Sequence, residues 1–262
     1  MSEILRTEKL TKNFGGLCAV KDVSFSINEG NIMGLIGPNG AGKTTLINLI
    51  SGTFPPSSGK IVFAGRDISQ CKAHTANNMG IARTFQIVRI FSKLTALENI
   101  LAGLLDRRRN GPWKLIGEAM FSRSFALIDN EEACREADRL LDFVGIRQYR
   151  GEQAGSLPYA LAKRLEIARA MATRPKLLLL DEPSSGLNPA ELVNQIKLIK
   201  QINQQGITIL IIEHVMKVIM DISHRLIVLN YGEKIAEGDP REVYTDPEVV
   251  EAYLGDDTDA AH

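Results

Sequence analysis

The sequence is poor in cysteine and tryptophan and carries no surplus of charge. Its 262 residues include three cysteines and one tryptophan, and 31 Lys+Arg balance 31 Asp+Glu. Cys18, Cys71 and Cys134 lie far apart, with no CxxC pair and no Cys/His spacing. That argues against a disulfide framework or a zinc site and suits a reducing compartment. A formal net charge of zero argues against a nucleic-acid binder that relies on bulk positive charge, though not against a local basic patch. Long apolar runs are missing too. The longest, such as Leu177–Leu180 and Ile209–Ile212, fall far short of the roughly 20 residues that span a bilayer. The start, Met-Ser-Glu-Ile, lacks the basic then apolar pattern of a signal segment. The expectation is a soluble protein that meets a membrane only through a partner. With 44% apolar and 24% charged residues, the composition is that of an ordinary globular chain. At roughly 150 residues per domain, the length suits one large domain or two lobes around a site.

Glycine, proline and apolar periodicity organise what is there, and no internal repeat is visible. The first 30 residues read as antiparallel β: Val23, Phe25 and Ile27 alternate with polar neighbours, and Gly15-Gly16 marks a turn before them. Residues 31–36 predict a buried strand, followed at once by a glycine-rich loop and a helix over Thr44–Ile50. Lys60–Ile68 reads as one exposed strand after the turn signals Pro55-Pro56 and Gly59. From about residue 87 the pattern is helical. Thr95 with Glu98 makes a capping box ahead of Ile100, Leu101, Leu104 and Leu105. Residues 106–130 read as irregular and carry Arg107-Arg108-Arg109, Gly111-Pro112 and Trp113. The arginine run suits a solvated face, or contact with lipid headgroups or a partner's loop. Ala133, Ala137, Leu140, Leu141 and Val144 repeat at helical spacing up to Gly145, and the Gly/Ser/Pro stretch 151–158 leads into a helix at about 161–173. Leu177–Leu180 predicts a buried strand ending in Asp181-Glu182. Asn188-Pro189 then caps a helix with Leu192, Ile196, Ile199 and Ile202 on one stripe, closed by Gly206. Ile207–Ile212 is another buried strand, ending at Glu213-His214. Arg225–Leu229 and Glu233–Glu237 flank Asn230-Tyr231-Gly232 as a hairpin, and a short acidic tail is expected to fray. Buried strands alternating with helices imply an α/β fold, its mainly parallel sheet covered on both faces.

Gly37-Pro38-Asn39-Gly40-Ala41-Gly42-Lys43-Thr44 fits GxxxxGK[ST], between an apolar strand and a helix. Glycines let such a loop turn its N–H groups inward on phosphate oxygens, and the following helix adds the positive end of its dipole. Lys43 would reach the β- and γ-phosphates, the Thr44 hydroxyl would ligate Mg²⁺, and Thr45 would contact the phosphate nearer the base. Asp181, at the end of a buried strand, suits Mg²⁺ held through water. The adjacent Glu182 suits orienting the water that attacks the γ-phosphate; alone, the pair would read equally well as a surface turn. His214 ends a further strand and suits a γ-phosphate contact. Gln86, after Arg83-Thr84-Phe85, suits metal and water or is an ordinary polar residue. Phe14 suits stacking on adenine or a place in the core.

In this order these residues resemble the ATP-binding cassette (ABC) ATPase family over nearly the whole chain. The resemblance implies a single domain, 1–262. A P-loop NTPase core with a mainly parallel sheet and an antiparallel β-subdomain would occupy about 1–86 and 174–262, and an inserted helical subdomain about 87–173. It further implies ATP and Mg²⁺, with Thr44, Gln86 and Asp181 at the metal and Glu182 and His214 in hydrolysis. The partners would be a second ATPase subunit, head to tail as a homo- or heterodimer, and membrane permease subunits near the Gln86 loop. A periplasmic binding protein would act indirectly, and no nucleic acid is expected. The place implied is the cytoplasmic side of the inner membrane, peripherally bound. Phe14-Gly15-Gly16-Leu17, Ile81–Gln86, Leu165–Ala170, Gly186-Leu187-Asn188-Pro189 and Ala252-Tyr253-Leu254-Gly255 are similar to ATPase subunits of branched-chain amino-acid importers, as is the long insert at about 105–130. Urea importers and lipopolysaccharide exporters share several of these features. No residue here is expected to touch the cargo, which passes through other chains.

One departure from the family stands out. Where the family has Leu-Ser-Gly-Gly-Gln, this chain has Leu157-Pro158-Tyr159-Ala160-Leu161. The serine hydroxyl that would touch the opposite γ-phosphate is gone, while the Ala160 N–H and a helix start expected at 161 remain. A lost hydrogen bond to a charged group costs roughly 1.5–3 kcal/mol. Two further readings stay open: a cassette that mainly binds ATP as a partner subunit, and a soluble cassette acting in DNA repair or translation. The single motif set and zero net charge disfavour the second.

Overall fold

The computed structural model describes residues 2–108 and 131–259, with side chains at 2–104 and 131–253. The insert at 106–130, including Arg109, Gly111, Pro112 and Trp113, therefore lies largely outside the described residues, as do the side chains of Arg107, Arg108 and Leu254. The chain divides into two compact units, Met1–Arg83 with Lys176–His262, and Thr84–Pro175.

The first unit holds two sheets. In one, β1 (Glu3–Phe14) lies between β2 (Leu17–Asn28) and β4 (Ser58–Phe63), and β5 (Arg66–Asp67) follows, all antiparallel. The alternation at Val23, Phe25 and Ile27 places these three in the core. Lys60–Ile68 is not one strand. Ala64 at φ 47° and Gly65 at φ 76° make a two-residue turn of the kind that joins hairpin strands, so the chain reverses there.

The other sheet contains β3 (Ile32–Ile36), β6 (Ile81–Arg83), β7 (Leu177–Asp181), β8 (Thr208–Ile212), β9 (Arg225–Asn230) and β10 (Glu233–Gly238), in the order β10-β9-β3-β8-β7-β6. All neighbours are parallel except the edge strand β10. β3, β7 and β8 are buried along their whole length, as strands covered on both faces must be. Met33, Leu35, Leu177, Leu179, Leu210, Ile212, Ile227 and Leu229 point into a core shared with Leu46 and Ile47 of α1 (Lys43–Ile50) and with the antiparallel sheet. The opposite face is covered near Gly34, where a Cβ would lie 2.9 Å from Ile219.

α2 (Ala73–Met79) has no side-chain cap at its start, and neither does α7 (Met216–Ile222), so neither shows a start signal in the sequence. α6 (Pro189–Gln204) begins on Asn188, whose side chain accepts from Ala190 and Glu191 N–H in a full capping box. The tail expected to fray is instead helical: α8 (Pro240–Tyr244) and α9 (Pro247–Asp259) follow two Asp-Pro steps. Asp239 and Asp246 accept N–H groups of Arg241 and Glu248 at 2.9 Å, and the prolines supply the first-turn φ.

The second unit is helical, with α3 (Ala96–Arg108), α4 (Glu131–Phe143) and α5 (Tyr159–Ala172). Ile100, Leu101, Leu104, Ala133, Ala137, Leu141 and Leu165 are buried. The Thr95 N–H donates to Glu98 Oε2 at 2.7 Å, and the Glu98 N–H donates to Thr95 Oγ1 at 3.2 Å. α5 starts two residues before the expected 161, with Pro158 as its N-cap.

Candidate active site

In an open parallel sheet, ligands gather beyond the carboxyl ends of the strands. The loop from Gly37 to Gly42 leaves the end of β3 and turns into α1. Gly37 has φ 145°, and a Cβ there would lie 2.0 Å from the Leu229 carbonyl oxygen. Gly42 has φ 95°, with the Ala19 carbonyl 2.4 Å from a hypothetical Cβ. Only glycine fits either place. α1 begins without a side-chain cap and without an acidic residue in its first turn, which keeps the positive end of its dipole uncompensated. Lys43 is buried, its Nζ donating to the carbonyls of Gly37 and Pro38 at 2.7 Å each. Asn39, Gly40 and Thr44 are exposed, Ala41 is buried, and Thr45 is half-buried.

β7 and β8 lie side by side, with Asp181 paired to Ile212, so the residues after each strand emerge at one edge. Glu182 takes φ 49°, a left-handed conformation that costs a non-glycine residue about 1–2 kcal/mol. Its N–H donates to the Ile212 carbonyl at 3.0 Å. The turn brings Glu182 Oε1 to 2.9 Å from His214 Nε2. A carboxylate only accepts, so the imidazole Nε2 carries the hydrogen. Glu213 is buried, and its Oε1 accepts the Ser184 N–H at 2.8 Å, holding the loop after β7.

Asp181 is 2% exposed and pairs with Arg83 at 3.0 Å from the end of β6. Burial pushes the Asp181 carboxyl above its usual range, and the Arg83 hydrogen bond and charge act against that. Arg83 also donates to Asn48 of α1, which ties that helix to the Asp181 strand. In the sequence, Arg83 reads only as a neighbour of Gln86. The signal available is a cation ending the strand beside an acidic one. Asp181 Oδ1 is buried without a hydrogen-bond partner, an orphan acceptor that suits a cation or its water. Among the described residues no three His, Cys, Asp or Glu converge to hold a metal by themselves.

Phe14 is 46% exposed at the end of β1 and meets Phe54 edge-on at 5.3 Å, with Lys12 Nζ 5.2 Å from its ring. It lies outside the core. Nothing in the local sequence pattern marks Phe54 as its partner.

The remaining expected residues lie in the helical unit. Gln86 is exposed in a bend. Leu157 is buried, Pro158 and Tyr159 are exposed, and Ala160 and Leu161 are half-buried at the start of α5. Further along α5, Glu166 is buried and accepts the Arg89 N–H at 3.0 Å. Burial raises its carboxyl, while hydrogen bonds from the backbone of Arg89 and Phe85 and the charge of Arg169 act against that. Glu166 thus grips both sides of Gln86, a role the sequence does not suggest.

A glycine loop feeding a helix, beside an acidic strand end and a Glu–His pair, is the layout of a nucleotide-phosphate site on a parallel sheet. The chain belongs to the ABC transporter ATPases: the family model described as ABC transporter matches residues 20–185. A second model, described as branched-chain amino acid ATP-binding cassette transporter, matches residues 233–259. Among its relatives is the high-affinity branched-chain amino acid transport ATP-binding protein BraF of Pseudomonas aeruginosa, 39% identical over 97% of this chain and 98% of that protein. LivG of Salmonella typhimurium, named for the same transport, is 40% identical over 97% of this chain and 98% of that protein. A solved ATP-binding cassette of an ABC transporter in its ADP conformation superposes with a TM-score of 0.85 at 35% identity, covering 97% of this chain and all of that one. A nucleotide-free cassette gives 0.84 at 34% identity, over 96% and 99%. No helix among the described residues is long and apolar enough to cross a membrane.

Proposed function

We propose that this ABC-type ATPase powers the import of branched-chain amino acids, as a peripheral subunit on the cytoplasmic face of the inner membrane. It would dock on permease subunits fed by a periplasmic binding protein. The likeness to BraF and LivG along nearly the whole chain and the match at 233–259 support this substrate class over urea or lipopolysaccharide. The observation that carries the catalytic reading is the 2.9 Å Glu182–His214 contact, one residue beyond buried Asp181.

In this reading the loop Gly37–Thr44 wraps the phosphates of ATP with its N–H groups, and Lys43 leaves the Gly37 and Pro38 carbonyls for the β- and γ-phosphates. Phe14 offers its exposed face to adenine, and Thr45 meets the phosphate nearer the base. Glu182 orients a water and takes its proton as the water oxygen bonds to the γ-phosphorus. The bond from that phosphorus to the β–γ bridging oxygen breaks, and ADP leaves. His214, holding Glu182 from one side, contacts the γ-phosphate. Thr44, and Asp181 through water, would hold Mg²⁺, which supplies charge neutralisation at the phosphates. The orphan Asp181 Oδ1 fits that ion.

The segment Leu157–Leu161 faces the ATP of a second subunit. Pro158 supplies neither hydroxyl nor N–H there, so the contact made from this chain is the weaker one. A heterodimer fits this best: the sister subunit supplies an intact segment to the ATP on this chain's loop. Lys43→Ala is the first test. Mg-ATP binding measured by calorimetry should fall by about 100-fold or more, on the order of the worth of a desolvated charge–phosphate contact; unchanged affinity would contradict the phosphate-loop reading.

A further inference from the structure

Tyr253 lies in α9, in the segment matched at 233–259. Its hydroxyl accepts the N–H of Gly37 at 2.8 Å. Gly37 is where β3 becomes the phosphate loop: the ladder to β9 ends one residue earlier, at Ile36 opposite Val228. From there on the Gly37 N–H has no strand partner, and a phenol from 216 positions away supplies the acceptor.

The other side of the same residue is closed. A Cβ would strike the Leu229 carbonyl at 2.0 Å, so β9 and Tyr253 fix the Gly37 peptide between them. Its carbonyl is one of the two that Lys43 Nζ holds at 2.7 Å. One residue thus joins the C-terminal helix to the phosphate-reaching lysine. Glu248, Glu251 and Ala252 of α9 line a cavity of about 380 Å³ together with Pro38–Ala41, so the helix runs beside the loop and Tyr253 is its fastening point. Burial pushes the Tyr253 phenol above its usual range, against the Gly37 hydrogen bond, so the hydroxyl keeps its proton at physiological pH.

We propose that Tyr253 is a positioning residue for nucleotide binding: through Gly37, the C-terminal helix holds the root of the phosphate loop and sets the affinity for ADP and ATP. The inference rests on the phosphate-loop reading. Tyr253 touches no phosphate itself. Without its hydroxyl the loop root samples orientations whose N–H groups do not converge, and apparent affinity drops by the fraction of time spent there.

The test is Tyr253→Phe in the full chain, which keeps the ring and removes the acceptor. Fluorescence titration with a methylanthraniloyl derivative of ADP should show binding weaker by about three- to tenfold, the range of one neutral hydrogen bond. The nucleotide-free melting temperature should stay within about 3 °C. In steady-state hydrolysis the KM for ATP should rise while kcat holds, a split that general loosening would not give. A change in affinity below about threefold, a loss that travels with a lower melting temperature, or a fall in kcat at unchanged KM overturns the proposal. Lys43→Ala in the same assay separates the two levels. If it loses binding and Tyr253→Phe does not, only the role of Tyr253 falls; if it binds like the wild type, the phosphate-loop reading falls and this inference with it.

Discussion

Arg83 and Asp181 form a buried pair, 8% and 2% exposed along their side chains, and the weight of such a pair shows in what its loss leaves behind. Removing the arginine strands a carboxylate away from water, which typically costs about 3–5 kcal/mol. Arg83→Ala should therefore lower the melting temperature by several degrees and weaken Mg-ATP binding, since Arg83 also ties α1 to the Asp181 strand; calorimetric scans of variant and wild type check this. A melting point equal to that of the wild type would show that the pair is not a support of the site. The residues that declare themselves in sequence are those whose chemistry is local: Gly37–Thr44 by spacing, Asp181, Glu182 and His214 by ending apolar strands. Arg83, Phe54 and Tyr253 are long-range partners, 98 positions from Asp181 in one case and 216 from Gly37 in another, and no local pattern announces such a bond.

Among the elements, α5 joins two features: the segment Leu157–Leu161 runs into its first turn, with Pro158 as N-cap, and Glu166 two turns on holds the backbone around Gln86. Because burial raises the Glu166 carboxyl above its unfolded value, the folded state binds that proton more tightly than the unfolded chain does. Its favourable contribution is present below the unfolded value and is lost as pH rises through the folded one. Glu166→Gln keeps an oxygen for the Arg89 N–H and removes the charge. Its melting temperature should exceed that of the wild type more at about pH 8 than at about pH 4; an equal difference at both would contradict the burial argument. Elements with a periodic stripe and a cap, such as α6 with Asn188 and α3 with Thr95 and Glu98, are legible in the sequence. α2 and α7 lack caps and are not. The Asp246-Pro247 step has the same signal as Asn188-Pro189, but the acidic composition after it obscures the helix. The β4–β5 hairpin is hidden because Ala64, not the usual asparagine or aspartate, takes the left-handed place before Gly65.

For the whole molecule, the proposed reading gives the chain an intact phosphate loop and an altered segment toward a second subunit. In a heterodimer, the ATP on this chain's loop would turn over and the sister's ATP would be held. Glu182→Gln here, compared with the same change in the sister subunit, should stop most hydrolysis only when made in this chain; equal losses would reject the asymmetry. Most direct of all is phosphate release by the permease-bound complex at saturating Mg-ATP, wild type against Glu182→Gln. A catalytic Glu182 predicts a fall of about 100-fold or more, the worth of a positioned general base, with ATP retained on the protein. Hydrolysis at the wild-type rate would place the base elsewhere and contradict the assignment of this sheet edge as the catalytic centre.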